Sequence, residues 1–180
     1  ENYHLGIYGG TEWGALAFRS GLAYTWSEID SSRQFAFHDL VDGMSASYRA
    51  GTTQVFGELG YGINAGSVAF EPFANLAYVN VHTNGFTEQG GAAALTIHGG
   101  SNDVTFTTLG LRASTDFDLG TIKATARGMI GWRHGFGDVT PTVSQAFTGS
   151  SAFQIAGAPI ARDAATLEAG LDFAITPAAT

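Results

Sequence analysis

Apolar residues recur at every second position along most of this chain, and the positions between them carry the charges. From Gly14 to Trp26, Leu16, Phe18, Leu22, Tyr24 and Trp26 share one parity, while Arg19 and Thr25 occupy the other. From Ile122 to Phe136, Ile122, Ala124, Ala126, Ile130 and Trp132 form the apolar row, against Lys123, Arg127 and Arg133. From Leu167 to Ile175 the apolar row is Leu167, Leu171, Phe173 and Ile175, against Glu168 and Asp172. Successive side chains of a strand point to opposite faces, so each segment has one apolar and one charged side. The pattern predicts an all-β fold, an antiparallel up-and-down transmembrane β-barrel with lipid outside and a polar lumen inside.

Seven strands are expected, at Tyr3–Gly9, Glu12–Ile29, Met44–Ile63, Val68–His82, Val104–Phe117, Thr121–Phe136 and Ala164–Thr176. Short links fall at Gly9–Thr11, Asn64–Ser67, Asp118–Gly120 and after Thr176, rich in turn-forming residues. Long links fall at Asp30–Gly43, Thr83–Asp103 and Gly137–Asp163. Short turns at one end and long loops at the other are the layout of an outer-membrane barrel. Parity changes once. Ala46, Tyr48 and Ala50 read as outward before Gly51–Thr53, and Val55, Leu59, Tyr61 and Ile63 after it. A β-bulge is expected there, since one extra residue shifts the register; two strands with a tight turn is the competing account.

The charges follow the same division. Of eight basic residues, Arg19, Arg49, Arg112, Lys123, Arg127 and Arg133 fall on lumen parity, and Arg33 and Arg162 in long loops. Glu58, Glu71, Asp116, Glu168 and Asp172 complete the candidate lumen-lining set. Glu28 is the exception, on apolar parity at a strand end. An Arg facing lipid at the bilayer midplane costs about 2–4 kcal/mol, which favours this segregation. Leu16, Phe18, Leu22, Phe70, Leu76, Leu109, Leu111, Ile130, Leu171 and Phe173 form the expected lipid-facing row. Trp26, Tyr24, Tyr78 and Trp132 lie toward strand ends, as interfacial aromatic girdles do.

Composition agrees. Charged residues make up 13% of the chain against about a quarter in soluble domains, with 25 glycines and 12% aromatics. Cysteine is absent, which excludes disulfides and Cys-ligated metals. A net charge of −8 argues against nucleic acid as a partner. Glu1–Leu5 lacks the basic and apolar regions of a secretory signal, so a mature or excised fragment is expected. The charge-free run Val139–Ala161 contains Pro141 and Pro159 among Thr, Ser, Gln and Gly, and reads as a long loop rather than a helix.

Several words along the chain carry a family resemblance: QVFGELGY (Gln54–Tyr61), EPFANLAY (Glu71–Tyr78), LGLRAS (Leu109–Ser114), GWRHGFG (Gly131–Gly137) and EAGLDF (Glu168–Phe173). With GFTEQGGAAAL (Gly85–Leu95) and AFQIAGAPIARDA (Ala152–Ala164), they resemble the autotransporter β-domain, the translocator of type V secretion in Gram-negative bacteria. The resemblance covers residues 1–180 as one partial domain. It implies seven strands of a twelve-stranded outer-membrane barrel, beginning at what would be the fourth strand and stopping after the tenth. It also implies as partners outer-membrane lipid, a passenger joined through a helix that threads the lumen, and the barrel assembly machinery.

The candidate chemistry is mostly physical. Acidic lumen residues in some autotransporters cut the passenger, and Glu58, Glu71, Asp116, Glu168 and Asp172 offer carboxylates on that face. Paired carboxylates and guanidiniums hydrating a pore account for the same residues without catalysis. The expectation is therefore not an enzyme. No cofactor or metal is expected: His4, His38, His82, His98 and His134 lack metal-ligand spacing. Gly60-Tyr-Gly62 lacks a dinucleotide context, and no G-x-S-x-G occurs. Leu95–Gly100 is expected to form a small extracellular hairpin. The alternatives are a passive outer-membrane porin or adhesin barrel, or a soluble β-barrel binding an apolar ligand.

Overall fold

The computed structural model describes residues 1–37, 40–91, 93–120 and 122–174. In chain order its strands are β1 (Asn2–Trp13), β2 (Leu16–Phe37), β3 (Leu40–Tyr61), β4 (Ile63–Ala65), β5 (Val68–Thr83), β6 (Phe86–Thr87) and β7 (Gln89–Gly90). They continue with β8 (Leu95–Ile97), β9 (Gly100–Leu119), β10 (Ile122–Gly137), β11 (Thr142–Phe147), β12 (Phe153–Ala156) and β13 (Asp163–Ala174). The main sheet runs β1-β2-β3-β5-β9-β10-β13, antiparallel throughout, and curls into a half-barrel. These are the seven expected strands. A second sheet, β12-β11-β8-β6, is built from the two long connections after β5 and β10.

Directly opposed residues of neighbouring strands share a face. Arg19, Glu58, Asn75, Thr108 and Arg133 form one such row. Phe18, Leu59, Ala74, Leu109 and Trp132 form the row beside it on the other face. The expected lipid-facing residues all lie on this second, apolar face. Ile130 is 60% exposed and Leu171 59%, values at odds with a core but natural against hydrocarbon.

Several boundaries differ from the sequence reading. Gly9–Thr11 is not a link: β1 runs through it, and the turn lies at Gly14, whose φ of 62° suits glycine. Gly66, with φ of 66°, makes the corresponding turn between β4 and β5. Asp30–Gly43 is not a loop, since β2 and β3 stay paired from Leu16↔Tyr61 to Phe37↔Leu40. Each of these strands has 22 residues, about twice what a tilted crossing needs, so the hairpin projects roughly 30 Å beyond it. The bulge expected at Gly51–Thr53 is absent, because the β2–β3 register is unbroken. The β3–β5 ladder does break at Tyr61 and Gly62, which face Pro72 and Glu71; Pro72 has no N–H to donate, and the Gly62 N–H bonds Ala15 O on the β2 side (2.7 Å).

Above the membrane-crossing part, the charged face of the hairpin turns apolar because another segment covers it. Met44 is only 2% exposed, and Tyr48 stacks on Phe86 with ring centroids 4.1 Å apart. β7 pairs with β3 at Met44↔Gly90 and Ser45↔Gln89, continuing the ladder where β5 has ended. Leu95–Gly100 is not a hairpin of its own: β8 is an inner strand of the second sheet, between β6 and β11. Within the expected loop Val139–Ala161, β11 and β12 form a hairpin. The expected link after Thr176 lies outside the described residues.

Candidate functional site

Four charged side chains from four adjacent strands meet on the charged face of the sheet. Arg19 of β2 donates through Nη1 and Nη2 to the two carboxylate oxygens of Glu71 on β5, both at 2.8 Å. Arg19 Nη1 also reaches Glu58 Oε1 of β3 at 3.1 Å. Arg112 of β9 donates to both Glu58 oxygens, at 2.8 and 2.9 Å, and to Glu71 Oε1 at 2.7 Å. Asn75 Nδ2 adds a longer contact to Glu58 Oε2 at 3.4 Å. Two guanidiniums and two carboxylates thus saturate one another. Glu58 is the most enclosed, its side chain 8% exposed.

Small residues make the room. A Cβ on Gly60 would lie 2.8 Å from the carboxyl carbon of Glu71, and one on Gly110 would lie 2.6 Å from the Phe73 ring. Phe73 is buried on the same face, and the Arg112 guanidinium lies 3.9 Å from its ring centroid, in cation–π range. The quartet borders a cleft of about 440 Å3 that Arg127, Met129 and Glu168 also line.

The other candidate residues spread along β9, β10 and β13. Arg127 Nη2 donates to Asp172 Oδ1 at 2.6 Å, and the Thr125 hydroxyl donates to Asp116 Oδ1 at 2.6 Å. Lys123 borders a smaller hollow with Asp116 and Asp172. Arg133 stands 5.1 Å from the centroid of Phe106. Glu168 reaches into the main cleft beside Arg127. Ten of the eleven candidates therefore share one face; Arg49 does not. Without a bulge, it stays on the apolar face opposite Glu28, with Nε 3.0 Å from Glu28 Oε1. This also accounts for Glu28, the exception to the charge pattern.

Sequence reasoning missed two features. Phe73 is an apolar residue on the charged row of β5, between Glu71 and Asn75, and that misplacement was the available signal. The second feature, at the far end of the hairpin, is a clasp. Arg33 Nε and Nη2 donate to the two oxygens of Glu88 at 2.8 and 2.6 Å, and Nη2 also donates to Ala93 O at 2.7 Å. The Leu95 N–H donates to Glu88 Oε2 at 2.8 Å. The Arg33 hydrogen bonds, opposed by partial burial, hold the Glu88 carboxyl below its ordinary range. With the two 55 positions apart, no local pattern announces the pair.

Comparison with known proteins agrees with this architecture. The family model described as autotransporter β-domain matches residues 1–180. Two proteins of Serratia marcescens, each named extracellular serine protease, are 42% identical to the chain over 176 residues. The match covers 97% of this chain but 17% of each relative. A half-barrel with one apolar face, one charged face and a full-length family match places the chain in a Gram-negative outer membrane; it belongs to the autotransporter β-domain family, as part of a translocator barrel.

Proposed function

We propose that the charged face is the lumen wall of the barrel, and that the chain supports export of an N-terminal passenger to the cell surface. The observation that carries this is the Arg19–Glu58–Glu71–Arg112 quartet. Charged groups are tolerated inside a membrane when they face a water-filled cavity and pair with one another. The mechanism is physical rather than catalytic. The saturated quartet stiffens one wall, while Asp116, Lys123, Arg127, Arg133, Glu168 and Asp172 keep the passage hydrated. They also offer charge-assisted hydrogen bonds to a linker helix in the lumen. The outer-membrane barrel assembly machinery is the proposed folding partner. Any protease activity would belong to a passenger, as the names of the relatives suggest.

The test uses the full-length protein in cells, with Arg127→Leu, Glu168→Leu and Asp172→Leu combined. Heat-modifiable gel mobility reports the folded barrel, and protease accessibility in intact cells reports the exported passenger. Export is expected to fall several-fold with the barrel still folded. Undiminished export from a folded barrel would overturn the proposal.

A further inference from the structure

Seven of the eight basic residues either sit on the charged face or lie in loops and ladders around the mouth; Arg49 alone points from a long strand to the apolar side among the described residues. Its side chain is 75% exposed and paired with Glu28. At the bilayer midplane an outward Arg would be disfavoured by about 2–4 kcal/mol, whereas near the interface the penalty falls to about 0–1 kcal/mol. Its height fits the second case. Arg49 lies two residues, roughly 7 Å, beyond Gly51, which stands opposite Trp26. Trp and Tyr mark the headgroup level of a membrane.

Around Gly51 the apolar face forms a notch lined by donors. Trp26 and His82 flank Gly51 on the two neighbouring strands. The Tyr24 hydroxyl lies over Gly51, where a Cβ would overlap it. Arg49 stands above. His82 Nδ1 is engaged with Ser101 Oγ at 2.9 Å, which leaves Nε2 free to turn outward. Arg49 faces Glu28 Oε1 through Nε and Nη2, each at 3.0 Å, which leaves Nη1 available to another acceptor. Four groups that can each donate to an anion thus meet at the lipid headgroup level. The chain as a whole carries a net charge of −8, which gives no general attraction to anions.

The geometry points to a lipid-headgroup site: the notch of Tyr24, Trp26, Arg49 and His82 holds a phosphate of a phosphorylated glycolipid in the outer leaflet. The occupant is a lipid rather than a soluble anion, because the notch continues the apolar face without interruption through Leu22 and Val55 below it. An acyl chain would cover these residues while the phosphate meets Arg49. Glu28 works against the phosphate and sets the strength of binding.

The test measures the heat-modifiability midpoint of the full-length protein in neutral detergent micelles. The probes are bisphosphorylated lipid A, the same lipid dephosphorylated, and inorganic phosphate. Phosphorylated lipid A is expected to raise the midpoint of the native protein by several degrees, and the other two to leave it unmoved. Arg49→Gln is expected to lose most of the shift, Arg49→Lys to keep part of it, and Glu28→Gln to enlarge it. The lysine variant decides the matter should Arg49→Gln fail to fold. An equal shift with dephosphorylated lipid, a shift with phosphate alone, or an unchanged shift in the Arg49 variants would overturn the inference.

Discussion

Arg19 and Glu71, 52 residues apart in the chain, form a bidentate pair with both contacts at 2.8 Å, and Arg112 donates to the same Glu71 oxygen at 2.7 Å. No member of the quartet relies on a single partner, so its loss strands more than one charge. Arg19→Met leaves Glu71 with only Arg112. The expected loss is near the lower end of about 3–5 kcal/mol, because Arg19 is itself partly exposed. Arg19→Met combined with Glu71→Gln should lose less than Arg19→Met alone. Urea titration of the heat-modifiable band in full-length protein measures both, and a larger loss in the double variant would refute the pairing argument.

Glycine matters at some positions of the sheet and not at others. A Cβ on Gly110 would meet both the Phe73 ring and Ile130 O at 2.7 Å, a backbone atom that cannot swing away. Gly110→Ala is expected to destabilise the fold by about 1–3 kcal/mol, as overpacking does. Gly170 has nothing within 4 Å of its would-be Cβ, and Gly170→Ala should be close to neutral. The same urea titration separates them.

The two faces differ in what they tolerate. Leu76 sits near the middle of β5 on the apolar face, 55% exposed. Leu76→Arg is expected to lose about 2–4 kcal/mol, the price of a midplane cation. Ala77→Arg places the same side chain on the charged face, opposite Phe106, and should retain most of the folded barrel. Equal sensitivity at the two positions would contradict the assignment of faces.

The Arg33–Glu88 clasp is expected to respond to acid. Glu88 titrates below its ordinary value of 4.5 when folded, so its contribution is fully present above that value. It is lost as pH falls through the lowered folded value. Limited proteolysis of the connection between β5 and β9 should therefore accelerate in the native protein only once the pH has fallen below 4.5. Glu88→Gln should be cleaved quickly at neutral pH as well, with a flatter pH profile; an unchanged profile would rule out the clasp.

The strand pattern was legible because membrane crossing imposes one rule on every residue of a strand. Lipid and water divide the two faces, and alternation records that division directly. The hairpin beyond the membrane follows another rule. Its inner residues Met44, Ala46 and Tyr48 are apolar because Phe86 and its neighbours cover them, a partner some forty positions away in sequence. Alternation therefore reversed its meaning near Gly51 without any change of register, and a bulge was the natural misreading. Arg49 went to the wrong face for that reason alone. The quartet was legible as a set of four charges on one face. Its mutual pairing was not, since it depends on the stagger between four strands and on the space left by Gly60 and Gly110.

The ten candidate charges on the charged face consist of five cations and five carboxylates, so those ten sum to zero although the chain carries −8. Two further carboxylates stand on the same face at the end where the short turns lie: Glu12, opposite Ala17, and Asp118, opposite Lys123. Such a face is wet and electrically balanced along its middle, with an acidic rim at the turn end. A polypeptide threading a lumen lined in this way would meet a cation-attracting rim at the turn end and little net field beyond it.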